Sequence, residues 1–280
     1  MKTVGIVGTG TMGTDITHLI AEAGFQVSIY DVDETKSKAA FQKIHDKLND
    51  YAKKKSITLD RVSEILKNIK IHSSLKNLDR ADIIIECVYE NLEAKQKVFR
   101  DLDDTCGPAT LLATNTSSIS ITKIASATRR PESVIGIHFI TPARFMKLVE
   151  IIPGLLTTRE TVEMAKKFVR KLGKEHTEAK DYPGFLLNRM VYIMVNEAVF
   201  LLYEGSGTPE SIDKTLKLGL NLPMGPLELA DLVGLDIVLA VGLEIFRGYR
   251  DPKYRPCPLL SQYVAAGYLG KKTGRGFYVY

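Results

Sequence analysis

The sequence predicts an α/β fold, a doubly wound and mostly parallel sheet with a helical hairpin insertion, followed by an all-α C-terminal domain. Short apolar runs alternate with helical patterns from Thr3 to about Asp181, and apolar strands separated by helices are typical of a parallel sheet covered on both faces. After Pro183-Gly184 the patterns are helical only, until the last few residues. We therefore predict two domains, residues 1–182 and 183–280.

Local patterns predict the elements in chain order. Strands are expected at 4–7, 27–30, 83–85, 111–113, 134–137 and 148–152. A helix is expected at 157–172, with Thr157 and Glu160 as a candidate capping box and Gly173 at its end. In the second domain we expect helices at 185–203, 209–217, 227–246 and 259–266.

The connection between the second strand and the strand near Ile71 is unusually long. It is interpreted as two helices, at 34–55 and 60–68, where a minimal crossover needs one short helix. A run of lysines is usually a solvated helical face, and a site for a phosphate-bearing ligand is the alternative. The lysines are Lys36, Lys38, Lys43, Lys47, Lys53, Lys54 and Lys55.

Composition limits the class of protein. The 38 basic and 33 acidic side chains leave a net charge of +5, which suits acidic small molecules and does not require nucleic acid. The 3 cysteines lack CxxC spacing, and no His/Cys/Asp spacing indicates a metal site. Gly8 and Gly10 interrupt the first apolar run, so we expect neither a signal peptide nor a membrane span. We expect a cytoplasmic protein without a metal, membrane or nucleic-acid partner.

A glycine-rich turn links the first strand to a helix. It is Gly8-Thr9-Gly10-Thr11-Met12-Gly13, a GxGxxG motif in which the glycines permit a tight turn, admit a pyrophosphate and let the helix meet the sheet. Asp31 ends the next strand, where a carboxylate accepts ribose hydroxyls and repels a 2′-phosphate. This context predicts a Rossmann-like domain that binds NAD in preference to NADP, and a turn used only for packing is the alternative.

Polar side chains follow two further strands at the carboxyl edge of the sheet, where doubly wound folds bind ligands. Glu90 follows the strand ending near Val88, and Asn115-Thr116-Ser117-Ser118 follows the next strand. Each has a structural alternative, because Glu90 can answer a helix dipole and the serines can cap the helix after them.

His138 and Glu150 form a candidate proton-transfer pair. His138 ends a strand at the ligand edge, and Glu150 interrupts an apolar strand where an unpartnered carboxylate is costly to bury. An imidazole held by a carboxylate is oriented and stabilised when it takes a proton. Asn188, expected one turn into the first helix of the second domain, is a candidate donor to a substrate oxygen.

Taken together, these motifs resemble the 3-hydroxyacyl-CoA dehydrogenase family, and within it the short 3-hydroxybutyryl-CoA dehydrogenase type. The resemblance spans nearly the whole chain, including His138-Phe139 through Met146-Lys147-Leu148-Val149-Glu150, then Pro183-Gly184-Phe185. The matching segments are 8–13, 90–95, 115–118, 138–150, 183–189, 223–236 and 270–277.

The resemblance implies roles for individual residues. His138 would remove the 3-hydroxyl proton of an acyl-CoA substrate, Glu150 would steady the imidazolium, and Ser117 and Asn188 would hold the substrate oxygen. Lys47 and Lys54 of the hairpin would contact coenzyme A, and the second domain would form a homodimer. The implied NAD contacts are Gly8, Gly10, Thr11, Met12, Gly13, Asp31, Glu90, Lys95, Ser117, Thr141 and Lys272.

One position departs from the family pattern. Phe-Asn-Pro usually follows the His-Phe pair, and this chain has Ile140-Thr141-Pro142 instead. The family asparagine contacts the cofactor, and the threonine side chain is shorter. At Thr141 either a water molecule fills the gap to the cofactor or the cofactor binds in a slightly different position.

Two other functions remain open. The related gulonate dehydrogenase and crystallin-like branch acts on a free hydroxy acid, which has no use for Lys54. The other is a catalytically idle dinucleotide-binding protein. The joint presence of His138, Glu150, Ser117 and Asn188 favours the enzyme.

Overall fold

A sheet of eight strands organises the first part of the chain in the computed structural model, which describes residues 1–280. The chain divides into two compact units, Met1–Asp181 and Tyr182–Tyr280. The strands are β1 Thr3–Val7, β2 Gln26–Tyr30, β3 Ile69–His72, β4 Ile83–Glu86, β5 Leu111–Thr114, β6 Val134–Phe139, β7 Leu148–Pro153 and β8 Glu175–Glu178.

The sheet has the order β3-β2-β1-β4-β5-β6-β7-β8, and only the β6–β7 pairing is antiparallel. The chain first builds outward from β1 to β3 and then returns to place β4 on the other side of β1. This reversal is the switch point at which doubly wound sheets bind ligands, outside the carboxyl ends of the strands. The α/β fold class predicted from the sequence is confirmed.

Helices cover the strands because the strands are apolar on both faces. Ile83, Ile84 and Ile85 are all fully buried, as expected for a central parallel strand. The helices of the first unit are α1 Thr11–Glu22, α2 Glu34–Lys53, α3 Leu59–Lys67, α4 Leu92–Thr105, α5 Ile121–Ala125 and α6 Arg159–Lys171. Here α2 and α3 are the predicted helical hairpin.

The second unit is helical and has its own core. Buried Tyr192, Val199, Leu235 and Tyr254 are among the residues that pack together there. Its helices are α7 Leu187–Tyr203, α8 Pro209–Gly219, α9 Pro226–Val233, α10 Leu235–Tyr249 and α11 Pro258–Ala265. The chain then closes in short bridges near Arg275.

Two local predictions are wrong for physical reasons that lie outside the local pattern. The Thr157 hydroxyl donates to the carbonyl of Val134, so Thr158 caps α6 in its place, accepting from the amide of Thr161. The single helix expected at 227–246 is two helices, because Gly234 adopts φ +105° between α9 and α10.

Candidate active site

The glycine loop lies at the switch point and is shaped by close backbone contacts. Gly8 has φ +94°, and a Cβ there would lie 2.8 Å from the backbone of Cys87, after β4. A Cβ on Gly13 would lie 1.9 Å from the carbonyl oxygen of Gly8, so both positions exclude larger residues. A Cβ on Gly10 would meet nothing within 4 Å.

This arrangement fits a dinucleotide pyrophosphate. Gly10 is the N-cap of α1 and has no side chain to cap the helix, and the first turn of α1 has no acidic residue. The amide groups and the positive end of the helix dipole are therefore offered to a bound anion. Thr11 and Met12 form the start of this helix.

Asp31 is fastened to the glycine loop. One carboxylate oxygen accepts hydrogen bonds from the Thr9 amide at 2.8 Å and the Thr9 hydroxyl at 3.1 Å, and the other accepts from the Asp33 amide at 3.1 Å. These bonds orient a charged group at the end of β2, beside the loop. The position is suited to reading the ribose of a dinucleotide.

His138 and Glu150 are directly opposite each other on β6 and β7. His138 Nδ1 lies 2.9 Å from Glu150 Oε2, and the two residues are 5% and 1% exposed. Burial at this depth makes a carboxylate costly without a partner, and the imidazole supplies one. The pair predicted from the sequence is therefore in contact.

Asn115 ties this pair to the neighbouring loop. Its side-chain oxygen accepts a hydrogen bond of 2.9 Å from the amide of Phe139, the residue after His138. The end of β6 is thereby attached to the loop that follows β5. That loop carries Ser117.

Glu90 organises the Ser117 loop. One of its oxygens accepts from the amides of Ser117 and Ser118 at 3.0 and 3.1 Å and from the hydroxyl of Thr116. The cap expected from residues 115–118 is wrong, because Ser120 caps α5. Glu90 directly precedes Asn91, the N-cap of α4. Glu90 and the serines instead form one hydrogen-bonded unit at the carboxyl edge.

Lys95 lies beneath Glu90 rather than at the surface. It is 1% exposed, and its ammonium lies 2.8 Å from Glu86 and 3.3 Å from Glu90. Burial acts to lower the pKa of Lys95, but the two carboxylates outweigh this effect and raise that pKa, so the side chain stays charged. In this arrangement the Lys95 ammonium is the counter-ion of the Glu86 and Glu90 carboxylates.

The Glu90 carboxylate is held in its charged form. Burial acts to raise its pKa, but the Lys95 ammonium and the hydrogen bonds from the serine loop outweigh burial and lower that pKa. Glu90 therefore presents a negative charge at the ligand edge.

Glu86 was missed in the sequence interpretation. It ends β4 with 0% exposure and contacts Lys95. The signal was available, because a carboxylate closes the apolar run Ile83-Ile84-Ile85 just as Glu150 interrupts β7. A carboxylate of this kind needs a cationic or hydrogen-bonding partner.

Thr141 faces the glycine loop. Its hydroxyl donates to the sulfur of Met12 at 2.8 Å. Thr141 is exposed at the same edge of the sheet. The departure from the family pattern thus lies beside the first turn of α1.

The hairpin lysines lie on α2 and at its end. Lys47 Nζ is 5.8 Å from the ring centroid of Phe145, which is itself exposed, and Lys54 is the C-cap residue of α2. Arg144 donates to the Tyr51 hydroxyl at 3.0 Å, so the segment after β6 is bonded to this helix.

Asn188 and Lys272 belong to the second unit. Asn188 is the second residue of α7, so it lies in the first turn and not one turn into the helix as predicted. The prediction started the helix at Phe185, which has φ 47° and precedes it. Lys272 donates to Asp236 at 2.5 Å.

The structure contains no group of three or more His, Cys, Asp or Glu residues arranged to hold a metal ion. None of its helices is both long and apolar enough to cross a membrane.

Comparison with known proteins connects both units to one family. Residues 3–182 match the model described as 3-hydroxyacyl-CoA dehydrogenase, NAD binding domain, and residues 184–280 match the C-terminal domain of the same enzymes.

Individual relatives match from end to end. The chain is 46% identical to a probable 3-hydroxybutyryl-CoA dehydrogenase of Bacillus subtilis, covering 100% of this chain and 98% of the relative. It is 46% identical to a 3-hydroxybutyryl-CoA dehydrogenase of Bradyrhizobium diazoefficiens, covering 100% and 96%. The crystal structure of (S)-3-hydroxybutyryl-CoA dehydrogenase from Ralstonia eutropha superposes with a TM-score of 0.97 at 43% identity, covering 100% and 99%.

Proposed function

Because the chain belongs to the 3-hydroxyacyl-CoA dehydrogenase family, we propose that it oxidises (S)-3-hydroxybutyryl-CoA to the 3-oxoacyl-CoA with NAD and catalyses the reverse reduction. The family consists of oxidoreductases that act on CH–OH groups, and the first unit is its NAD-binding domain. The observation that carries the proposal is the buried contact between His138 and Glu150.

His138 acts as the general base. Because Nδ1 contacts Glu150, Nε2 is the nitrogen that meets the substrate, and it takes the proton of the 3-hydroxyl group. Glu150 accepts a hydrogen bond from Nδ1–H, which fixes the tautomer and stabilises the imidazolium that forms. NAD bound at the glycine loop would supply the acceptor for the hydride from the carbon that carries this hydroxyl group.

Ser117 and Asn188 hold the substrate oxygen. Hydrogen bonds aimed at the oxygen as its charge changes stabilise the transition state. The loop of Ser117 is positioned for this role by Glu90, which binds its amide, and by Asn115, which links it to the strand of His138.

The cofactor contacts fall into three groups. Gly8, Gly10, Thr11, Met12 and Gly13 bind the pyrophosphate at the start of α1. Asp31 binds the ribose. The contacts further along the dinucleotide are Glu90, Ser117, Thr141 and Lys272. The burial of Lys95 supports a changed role, in which it holds Glu90 in place and contacts the cofactor only through it.

Coenzyme A binds along the hairpin through Lys47 and Lys54. Lys54 is exposed, and Lys47 lies beside the exposed ring of Phe145. Positive charge for the phosphates and an aromatic face are therefore both available to coenzyme A. A free hydroxy acid would use neither lysine. This basic hairpin therefore favours an acyl-CoA over the substrate of the gulonate dehydrogenase branch.

We further propose a cytosolic homodimer formed through the second unit. This unit exposes apolar side chains, including Met190, Leu218, Leu220 and Leu232, which is typical of a surface that another chain covers. Three free cysteines fit a reducing compartment. Sedimentation equilibrium tests the dimer, and a monomer at micromolar concentration contradicts it.

The decisive experiment is reduction of acetoacetyl-CoA by the His138→Ala variant. We expect most of the turnover to be lost, while NADH binding, followed by its fluorescence, is nearly unchanged. His72→Ala, a histidine change on edge strand β3, is the matched control. Turnover near the unmodified level in His138→Ala would contradict the proposed function.

A further inference from the structure

Glu86 belongs to a closed ring of hydrogen bonds and ion pairs behind the Ser117 loop. Its Oε2 accepts from the Thr114 hydroxyl at 2.7 Å, and the Thr114 hydroxyl accepts from the Thr116 amide at 3.2 Å. The Thr116 hydroxyl donates to Glu90, and Glu90 pairs with Lys95 at 3.3 Å. Lys95 closes the ring on Glu86 Oε1 at 2.8 Å.

The ring spans two neighbouring strands and the loops that follow them. Glu86 and Thr114 are register partners at the carboxyl ends of β4 and β5. Glu86 Oε1 also accepts from the Val88 amide at 2.6 Å, so it holds the loop after its own strand. A single buried carboxylate thus joins the loop that follows β4 to the loop that follows β5.

Only one member of the ring is exposed at the ligand edge. The Glu90 side chain is 40% exposed, whereas those of Glu86 and Lys95 are 0% and 1% exposed. Thr114 and Thr116 are also buried. Whatever orders the buried members therefore acts on ligands through Glu90 and through the loop that Glu90 binds.

The three donors on Glu86 match the capacity of an ionised carboxylate, which accepts at both oxygens and donates nothing. Removing its charge would leave Glu90 as the sole counter-ion of Lys95. Glu90 would then be drawn toward the ammonium and away from the amides of Ser117 and Ser118. Loss of one of the two carboxylate partners of the buried Lys95 ammonium is costly enough to force such a movement.

We propose that Glu86 is a positioning residue that sets the Ser117 loop for hydride and proton transfer, acting through Lys95, Glu90 and Thr114. This inference rests on the proposed function in one respect, namely that Ser117 binds the substrate oxygen. Glu86 is fully buried, so its effect on turnover passes through Ser117.

The first test measures loop order without any substrate. In Glu86→Gln, amide hydrogen exchange in the peptide containing Ser117 and Ser118 increases at least about tenfold, as expected when a local opening becomes easier. Asp213→Asn is the matched control, because Asp213 is also buried and accepts from two amides and a tyrosine hydroxyl, within the second unit. Its exchange at Ser117 and Ser118 stays unchanged.

The second test is a double-mutant cycle on turnover. Glu86→Gln lowers kcat for acetoacetyl-CoA reduction on the order of 10- to 100-fold, the range in which misplaced catalytic groups act. In a Ser117→Ala background the same change has a much smaller effect, because the group that it misplaces is already absent. A merely structural role for Glu86 predicts that the two effects multiply.

Thr114 keeps the test decisive where Glu86→Gln fails to fold. Thr114→Val removes the hydroxyl from the ring at nearly constant volume, and it reproduces both the faster exchange and the coupling to Ser117. Thr114→Ser keeps the hydroxyl, so its amide exchange and its kinetics match those of the unmodified chain. Unchanged exchange at Ser117 and Ser118 in the folded variants, or fully multiplicative kinetic effects, overturns the proposal.

The exchange result separates this inference from the proposed function. A chain without any dehydrogenase activity would contradict the function, yet the ordering of the loop by Glu86 would still be decided by exchange alone.

Discussion

His138 and Glu150 face each other across the one antiparallel pairing of the sheet, and Nδ1 of the histidine lies 2.9 Å from Oε2 of the glutamate. Antiparallel register places directly opposite side chains on the same face of the sheet. The register of β6 and β7 is therefore what brings a buried carboxylate against the imidazole.

The first prediction concerns this carboxylate. Glu150→Gln keeps the volume but replaces the acceptor of the Nδ1 proton with an amide that can present a donor, so the imidazole loses its tautomer control and its charge stabilisation. We expect kcat for acetoacetyl-CoA reduction to fall on the order of 10²- to 10⁴-fold, with little change in NADH affinity. Steady-state kinetics and NADH fluorescence titration measure the two quantities.

Glu175→Gln supplies the control, because Glu175 is an exposed glutamate on neighbouring strand β8. An oriented general base contributes at least about 10²-fold to the rate. Turnover of Glu150→Gln within about threefold of the unmodified enzyme would therefore contradict the role of His138 as a general base oriented by Glu150.

The second prediction concerns cofactor choice. The carboxylate of Asp31 is oriented by Thr9 beside the glycine loop and repels a 2′-phosphate. We expect the native chain to prefer NADH, and Asp31→Ala to raise the KM for NADH roughly tenfold while reducing the discrimination against NADPH. Asp33→Asn, which retains the cap of α2, is the control. Equal use of NADH and NADPH by the native chain would be inconsistent with this role of Asp31.

The third prediction concerns Thr141, whose hydroxyl contacts Met12. Thr141→Asn restores the longer family side chain, and we expect the KM for NADH to fall by roughly 2- to 10-fold, the effect of one added hydrogen bond. Thr141→Val removes the hydroxyl at similar volume and serves as the comparison. An increase in KM for the asparagine variant would mean that the cofactor lies differently in this chain.

The fourth prediction concerns the hairpin. Lys54→Ala and Lys47→Ala should each raise the KM for acetoacetyl-CoA by roughly fivefold at low salt, since an exposed charge contact contributes up to about 1 kcal/mol. The KM for NADH should not change, and the effect should shrink at high salt because the contact is screened. Lys167→Ala, an exposed lysine on α6, is the control.

The same assay distinguishes acyl-CoA from free-acid substrates. Acetoacetyl-CoA should be reduced far more efficiently than free acetoacetate at equal concentration. A preference for the free acid, together with no effect of either lysine change, would favour the gulonate dehydrogenase branch.

The fifth prediction concerns acid stability. Burial, with help from Arg144 and Lys47, lowers the pKa of His18 from 6.5 to about 3. The unfolded chain therefore binds more protons than the folded chain between these values, and the free energy of unfolding falls as the pH is lowered through this window. The expected slope is up to about 1.4 kcal/mol per pH unit.

Urea unfolding followed by circular dichroism at several pH values measures this slope. His18→Gln should flatten it, whereas His45→Gln, with a side chain that is 40% exposed, should not. Identical slopes for the native chain and His18→Gln would show that other groups control the acid sensitivity.

Local sequence patterns were sufficient for most of the elements. The GxGxxG turn, the apolar strands and the break at Pro183-Gly184 are encoded in neighbouring residues, because backbone conformation and burial periodicity are local properties. Helix ends were less predictable. Thr157 was diverted from its expected cap by a carbonyl on β6, which no local pattern shows.

The candidate site also combines features that the sequence predicts with features that only the tertiary structure reveals. The sequence by itself determined that a dinucleotide loop, a histidine and a carboxylate in an apolar strand occur in this chain, since each is a choice of residue type at one position. Only the tertiary structure decided that Glu150 lies opposite His138, that Lys95 lies beneath Glu90, and that Glu86 joins the loops that follow β4 and β5. Those relationships depend on strand order and register, which long-range packing sets and which a shift of one residue would reverse.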